Sequence, residues 1–293
     1  MQVFPESVYF CPSCGCGLCG EGEYNNDGEI FVEKTILFCD QCERGYHVGC
    51  LRERGDEGLE SCPEGNWFCG EKCSEIFFHL QNLLGKSNSA GIDGLSWTIL
   101  RSNEKHGRNR NTSSIIEAMT KCKLRAARSM LRECFDRIIQ PATKTDLITD
   151  VVFSKESAVP HLNYRGFYTM ILEKGKKPIS VATFRVRSDK VAEVPLVGTC
   201  IRSRRQGMCR LLMNSLQKVI FSVDLDTQLD IILANMGVQK LLLPVTAKLL
   251  QCWNTSFGFS VATNFDRFKM LEYPFLEFND TIMCQKLLTR AVT

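Results

Sequence analysis

The stretch "KVAEVPLVGTCIRSRRQGMCRLLM", residues 190–213, decides how the larger part of this chain folds. Its first ten residues are apolar apart from Lys190, one carboxylate (Glu193) and a closing Thr199, and read as a buried strand. A basic, glycine-containing turn follows, and apolar residues then recur at helical spacing through "RLLMNSLQKV". A strand that feeds a helix through such a turn leaves the first helical amides without partners, at the positive end of the helix dipole. That is a ready seat for a pyrophosphate. The bland reading of the same turn is a solvated helix start.

Working outward, "IIEAMTKCKLRAARSMLRECFDRII" predicts a long amphipathic helix over 115–139, stopped by Pro141. The runs "LITDVVF", "GFYTMILEKG" and "PISVATFRVR" read as strands, the last two as a hairpin about a charged turn. Downstream, "QKLLLPV" predicts a short buried strand and "AKLLQCWNTSFGF" a helix. This order is α+β.

The whole unit resembles the GNAT acyl-CoA N-acyltransferase fold, with its mixed, mainly antiparallel sheet. The carrying pattern is Arg204-x-x-Gly207-x-Cys209, where the family has Q/R-x-x-G-x-G/A, so Cys209 replaces the last small residue. The resemblance implies acetyl-CoA as cofactor. Val197, Gly198 and Thr199 would pair with its pantetheine arm, and Arg204, Arg205, Gln206, Gly207, Cys209 and Arg210 would cradle its phosphates. Glu193, fourteen residues before Gly207, falls where histone acetyltransferases of this class keep a general base. A carboxylate in an apolar strand suits that task, because burial raises its proton affinity toward neutral pH. Equally, Glu193 reads as a strand carboxylate with no substrate. Many members carry a tyrosine acid where this chain has Asn254.

Ten of the sixteen cysteines lie between Cys11 and Cys73. A small domain with little core is stapled by disulfides or by metal, and C-x-x-C pairs beside a Cys/His pair favour zinc. From Cys16 the series is Cys16, Cys19, Cys39, Cys42, His47, Cys50, Cys69, Cys73, with Trp67 two residues before Cys69. That order resembles the PHD finger, a cross-brace with two zinc ions. The resemblance gives Cys16, Cys19, His47 and Cys50 to one ion and Cys39, Cys42, Cys69 and Cys73 to the other. Trp67 would pack in the small core, and Cys62 would be a free thiol. A RING finger uses the same residue types with tighter central spacing and lacks the tryptophan. PHD fingers commonly bind the histone H3 tail by strand addition, and Asp27, Glu29 and Glu33 lie where acidic residues would meet its lysines.

Residues 1–86 hold six Lys+Arg against fifteen Asp+Glu, a net −9, and the remainder thirty against eighteen, a net +12. The first part suits a basic peptide and the second an anionic ligand. Direct DNA contact through "KHGRNR" competes with a solvated loop. No apolar run reaches eighteen residues and the start lacks a signal peptide's pattern, so no membrane association is expected.

Taken together, finger, helix, "LNYRGFYTMILEKG", "AEVPLVGT" and "RRQGMCRLLM" resemble the plant nuclear proteins of the increased-DNA-methylation type, PHD-finger histone acetyltransferases. The resemblance implies a nuclear enzyme that reads and acetylates the histone H3 tail on the nucleosome, beside other chromatin-complex proteins, in gene regulation or active DNA demethylation. The competing reading is a non-catalytic chromatin reader with a degenerate GNAT part. The implied domains are a remnant of an upstream finger (1–15, with the surplus pair Cys11 and Cys14), a PHD finger with its closing helix (16–86), a linker (87–114) and the GNAT-like domain (115–293). Such a remnant would make this the C-terminal part of a larger protein; the competing reading leaves Cys11 and Cys14 as free thiols or as ligands competing with Cys16 and Cys19. One departure is an extra segment, Ile220 to Ile232, interrupting an otherwise continuous helix.

Overall fold

Two sheets organise the chain, seen in a computed structural model that describes residues 12–22, 32–56, 58–102, 115–157, 162–221 and 236–288. The elements are β1 (Ile36–Phe38), β2 (Gly45–His47), α1 (Val48–Arg54), α2 (Glu71–Leu83), β3 (Ser87–Ser89), β4 (Leu95–Leu100), α3 (Ile115–Cys134), α4 (Leu147–Val152), β5 (Tyr168–Lys174), β6 (Lys177–Val186), β7 (Val191–Thr199), α5 (Met208–Phe221), β8 (Lys240–Thr246), α6 (Leu250–Phe257), β9 (Ser260–Val261), α7 (Asn264–Phe268) and β10 (Thr281–Leu287). No helix among the described residues is long and apolar enough to cross a membrane.

Strands β1 and β2 form the small sheet of the finger; the large one has the order β3-β4-β5-β6-β7-β8-β10-β9. Its neighbours are antiparallel except β7 and β8. Period-two alternation sends successive side chains to opposite faces. Met170, Leu172 and Phe184 meet Leu212, Met213 and Leu216 of α5, while Ile171, Val181 and Leu196 meet Leu124 and Leu131 of α3 and Ile148 of α4. The result is three layers, with helices covering both faces. In β7 an extra residue lies between the pairs Thr183↔Leu196 and Arg185↔Glu193. Pro195, which has no N–H to give a ladder, occupies that bulge. The bulge reverses the alternation: Val194 joins the α5 side and Leu196 the α3 side.

Three expectations need correction. "LITDVVF" is the helix α4, because the Asp146 side chain accepts a hydrogen bond from the Thr149 amide and caps it, overriding the β-branched run. Helix α3 ends at Cys134, not Ile139, since Ile138 and Ile139 are used in a turn, pairing with Leu147 and Asp146. The expected linker begins too early: residues 87–89 and 95–100 are β3 and β4, two strands of the large sheet.

The finger and the sheet also share an element. Helix α2 carries Cys73, which faces the finger core, and Ile76 and Leu80, which are fully buried in the core of the large sheet.

Candidate functional site

The finger brings eight ligand atoms into two groups, Cys16, Cys19, His47 and Cys50, and Cys39, Cys42, Cys69 and Cys73, each within 4.8 Å of one another. In the first, His47 Nδ1 is 3.4 Å from Cys19 Sγ and 3.8 Å from Cys50 Sγ. In the second, Cys69 Sγ is 3.7 Å from Cys42 Sγ and 3.6 Å from Cys73 Sγ. A tetrahedral ion with zinc–sulfur bonds of about 2.3 Å sets its ligands about 3.8 Å apart. The donor set and its spacing therefore fit zinc. The His47 amide donates to Cys16 Sγ and the Cys69 amide to Cys39 Sγ, contacts that favour thiolate. Trp67 packs edge-on to Tyr46, and Cys62 is exposed outside both groups. Cys11, Asp27 and Glu29 lie outside the described residues, as does most of Ile220 to Ile232; Cys14 is half-buried.

The second candidate lies where β7 and β8 part. They pair only at Val191↔Lys240, Ala192↔Leu241 and Glu193↔Leu242, yet β7 runs on to Thr199 and β8 to Thr246. Beyond Glu193 the two strands diverge, while β6 still pairs the other edge of β7 as far as Thr199. Val197, Gly198 and Thr199 lie along this parted segment, with Gly198 set against Cys134 and Leu131 of α3. At its end the chain turns through Arg204 to Gly207 into α5. Gly207 has φ +79° and Arg205 φ +60°, a left-handed turn that glycine makes without strain. The Leu211 amide is bonded to the Gly207 carbonyl, so the amides of Met208, Cys209 and Arg210 lie in the first turn, ahead of the helix's own ladder. Arg204 bonds back to the Thr199 carbonyl at 3.1 Å and Gln206 to the Arg202 carbonyl at 2.9 Å, which ties the turn. Arg202, Arg205 and Arg210 are exposed around it. Burial, with Cys252 nearby, pushes the Cys209 thiol up to about 11. An unpaired strand edge, free amides on a helix dipole and four arginines are what an extended amide-bearing chain with a pyrophosphate needs, so the residues fit acyl-CoA. Asn254 donates to the Phe259 carbonyl and closes α6, whose C-cap is Gly258.

Glu193 is buried in β7, as the apolar run implied, and its carboxylate is engaged by neighbours that the run did not reveal. Its side chain is 2% exposed, Oε1 accepts from Arg185 at 2.7 Å and Oε2 from the Leu276 amide at 2.9 Å. Arg187 lies 3.7 Å from the same Oε1. Both carboxylate oxygens are engaged, so in this arrangement Glu193 anchors Arg185 and the segment around Leu276.

Sequence reading missed the partners of that anchor. Arg185 near the end of β6 and Arg187 just past it are two residues apart, and both are also paired with Glu43, the residue after Cys42 of the finger. Although burial opposes its charge, Arg187, Arg185 and Arg165 hold the Glu43 carboxyl below its ordinary value. The available signal was two arginines two apart in an apolar strand, which demand buried acids.

Residues 135–287 match the family described as Increased DNA methylation 1, C-terminal domain, and residues 16–73 match the PHD-finger. Increased DNA methylation 1 of Arabidopsis thaliana is 32% identical over 290 residues, 98% of this chain and 23% of that protein. The chain belongs to the Increased DNA methylation 1 family. It spans about a quarter of that relative's length. Zinc finger protein DPF3 of Danio rerio is 37% identical over 95 residues, covering 32% of this chain and 19% of that protein. Among solved structures, Tetrahymena GCN5 gives a TM-score of 0.46 at 15% identity, over 67% of this chain and 98% of that one. For this Increased DNA methylation 1 family member, the parted β7 and β8 and the turn into α5 make the large unit a GNAT-like fold with a mixed sheet, joined to a PHD finger.

Proposed function

We propose that this chain transfers an acetyl group from acetyl-CoA to a lysine side chain of a basic protein tail, the histone H3 tail in a nuclear, chromatin-regulating setting. The observation that carries this reading is the divergence of β7 from β8 above the turn into α5. Val197, Gly198 and Thr199 would hold the pantetheine amides, and the first-turn amides with Arg204, Arg205 and Arg210 the phosphates. When bound, acetyl-CoA supplies a thioester whose carbonyl carbon accepts the amine. The acidic finger supports a basic partner, and the outer edge of β1, unpaired among the described residues, suits an added peptide strand.

With Glu193 engaged, proton loss falls to solvent at the cleft. A lysine amine of pKa about 10.4 is neutral in about one molecule per thousand at pH 7.4. The rate should then rise about tenfold per pH unit from 7 to 9, without an acid limb belonging to a protein carboxylate.

The test is labelled acetyl transfer from acetyl-CoA to a histone H3 peptide by the zinc-loaded chain, with acetyl-CoA binding by calorimetry. Glu193→Gln should lower folding stability and reduce transfer by the same factor at every pH. Loss of a pH-dependent limb with stability intact would restore Glu193 as the base. Absence of acetyl-CoA binding by folded protein would remove the enzyme reading and leave a chromatin reader, which Cys209 in place of a small residue also favours.

A further inference from the structure

The end of β6 and the residue after it set Arg185 and Arg187 side by side, 5% and 2% exposed, and Glu193 alone does not neutralise two buried guanidinium groups. The second negative charge comes from the finger. Glu43 Oε2 lies 3.1 Å from Arg185 and 2.5 Å from Arg187, so two acids and two bases form a balanced buried cluster.

The insertion is built from both sides. Glu43 follows Cys42 in the loop that links the two cysteines to β2, and its φ of 61° is a left-handed conformation a non-glycine residue holds only when its surroundings demand it. Opposite it stands Gly166, where a Cβ would fall 2.8 Å from Glu43 Oε1 and 3.0 Å from the Arg185 Cδ. On either side of Glu43, Gln41 donates to the Val186 carbonyl at 2.7 Å, Arg187 to the Cys42 carbonyl at 3.4 Å, and Arg165 pairs with Asp40 at 2.5 Å, while Arg44 pairs with Glu272. Pro274 closes the cluster by accepting from both Arg185 and Arg187.

We propose that Glu43 is a positioning residue of the GNAT-like domain: the loop held by Cys39, Cys42, Cys69 and Cys73 inserts it between Arg185 and Arg187, so that filling this zinc site fixes Glu193 and the adjoining ends of β6 and β7. With the site empty, the four sulfurs no longer share an ion, and only the hydrogen bonds and ion pairs on either side of Glu43 are left to hold the loop in its left-handed turn. Two arginines are then left against one carboxylate, and the end of β6 and the segment around Leu276 loosen. The inference rests on the ligand set and the ion cluster, and stands whether or not the chain transfers an acyl group.

Hydrogen exchange read by mass spectrometry on the full zinc-loaded chain tests it, with peptides from β6, β7 and residues 274–276 compared with those from β8 and β10. Zinc removal by 1,10-phenanthroline and Glu43→Gln should each speed exchange at the first set by on the order of 100-fold and leave the second set nearly unchanged. The charge-balanced double variant Glu43→Gln with Arg187→Met should recover most of the protection. It also decides the matter should Glu43→Gln alone not fold. Exchange confined to finger peptides after zinc removal would overturn the proposal. So would equal loss across β8 and β10, or a double variant that exchanges as fast as the single one.

Discussion

Two groups of arginines in this chain meet opposite fates. Arg185 on β6 and Arg187 just past its end are buried, each between Glu43 and Glu193, with the carbonyl of Pro274 accepting from both. Arg202, Arg204, Arg205 and Arg210 surround the turn into α5, exposed, and Arg204 donates to the Thr199 carbonyl and the Cys134 sulfur. The difference teaches where charge acts as structure and where it is left for a ligand. A buried guanidinium has to be matched by the protein itself, while an exposed one beside free amides has its match supplied from outside.

Breaking the buried group should have the largest effect. Arg185→Met leaves Glu193 and Glu43 with one arginine between them, and urea unfolding should show a loss of about 3–5 kcal/mol. A loss below about 1 kcal/mol would mean that the cluster is bystander to the fold. Next comes the turn itself: Gly207→Val forces a β-branched residue to φ +79°, destabilising by about 1–3 kcal/mol and weakening acetyl-CoA binding measured by calorimetry. Smaller again, Arg204→Ala, Arg205→Ala and Arg210→Ala should each leave stability within about 0.5 kcal/mol. Each should weaken acetyl-CoA binding by a few-fold and flatten its salt dependence, the reverse of the β6 pattern.

The smallest effect sharpens the contrast further. Alkylation of Cys209 proceeds through the thiolate, and that thiol is pushed up to about 11. Its rate with iodoacetamide should rise about tenfold per pH unit from 7 to 10 and level near 11. Levelling near 8 would show that the turn arginines aim inward at the sulfur instead of out to solvent.

Much of this was legible in the chain because spacing carries it. The series of eight ligands from Cys16 to Cys73 follows from its spacing, while their division between two ions came from the PHD resemblance; the hairpin of β5 and β6, the strand β7 and the turn at Gly207 follow from apolar period and glycine chemistry. What escaped was long-range or depended on competition. Asp146 capped a stretch that reads as strand. Glu43 and Arg187 are 144 residues apart, and no local pattern joins them. Glu193 sits at the family's spacing, but spacing says nothing of the arginine directly opposite it on β6 that claims its oxygen.

Helix α2 has a consequence for modularity. Along one stripe of it, Cys73 faces the finger, and Ile76 and Leu80, one and two turns further on, enter the neighbouring core. A finger that lends its last helix in this way is no longer portable. A PHD finger transplanted from another protein would have to bring its eighth ligand and the right aliphatic face on the same two turns, in the same phase. Swapping the finger is therefore a redesign of the transferase-like half, and the two should have diverged in step.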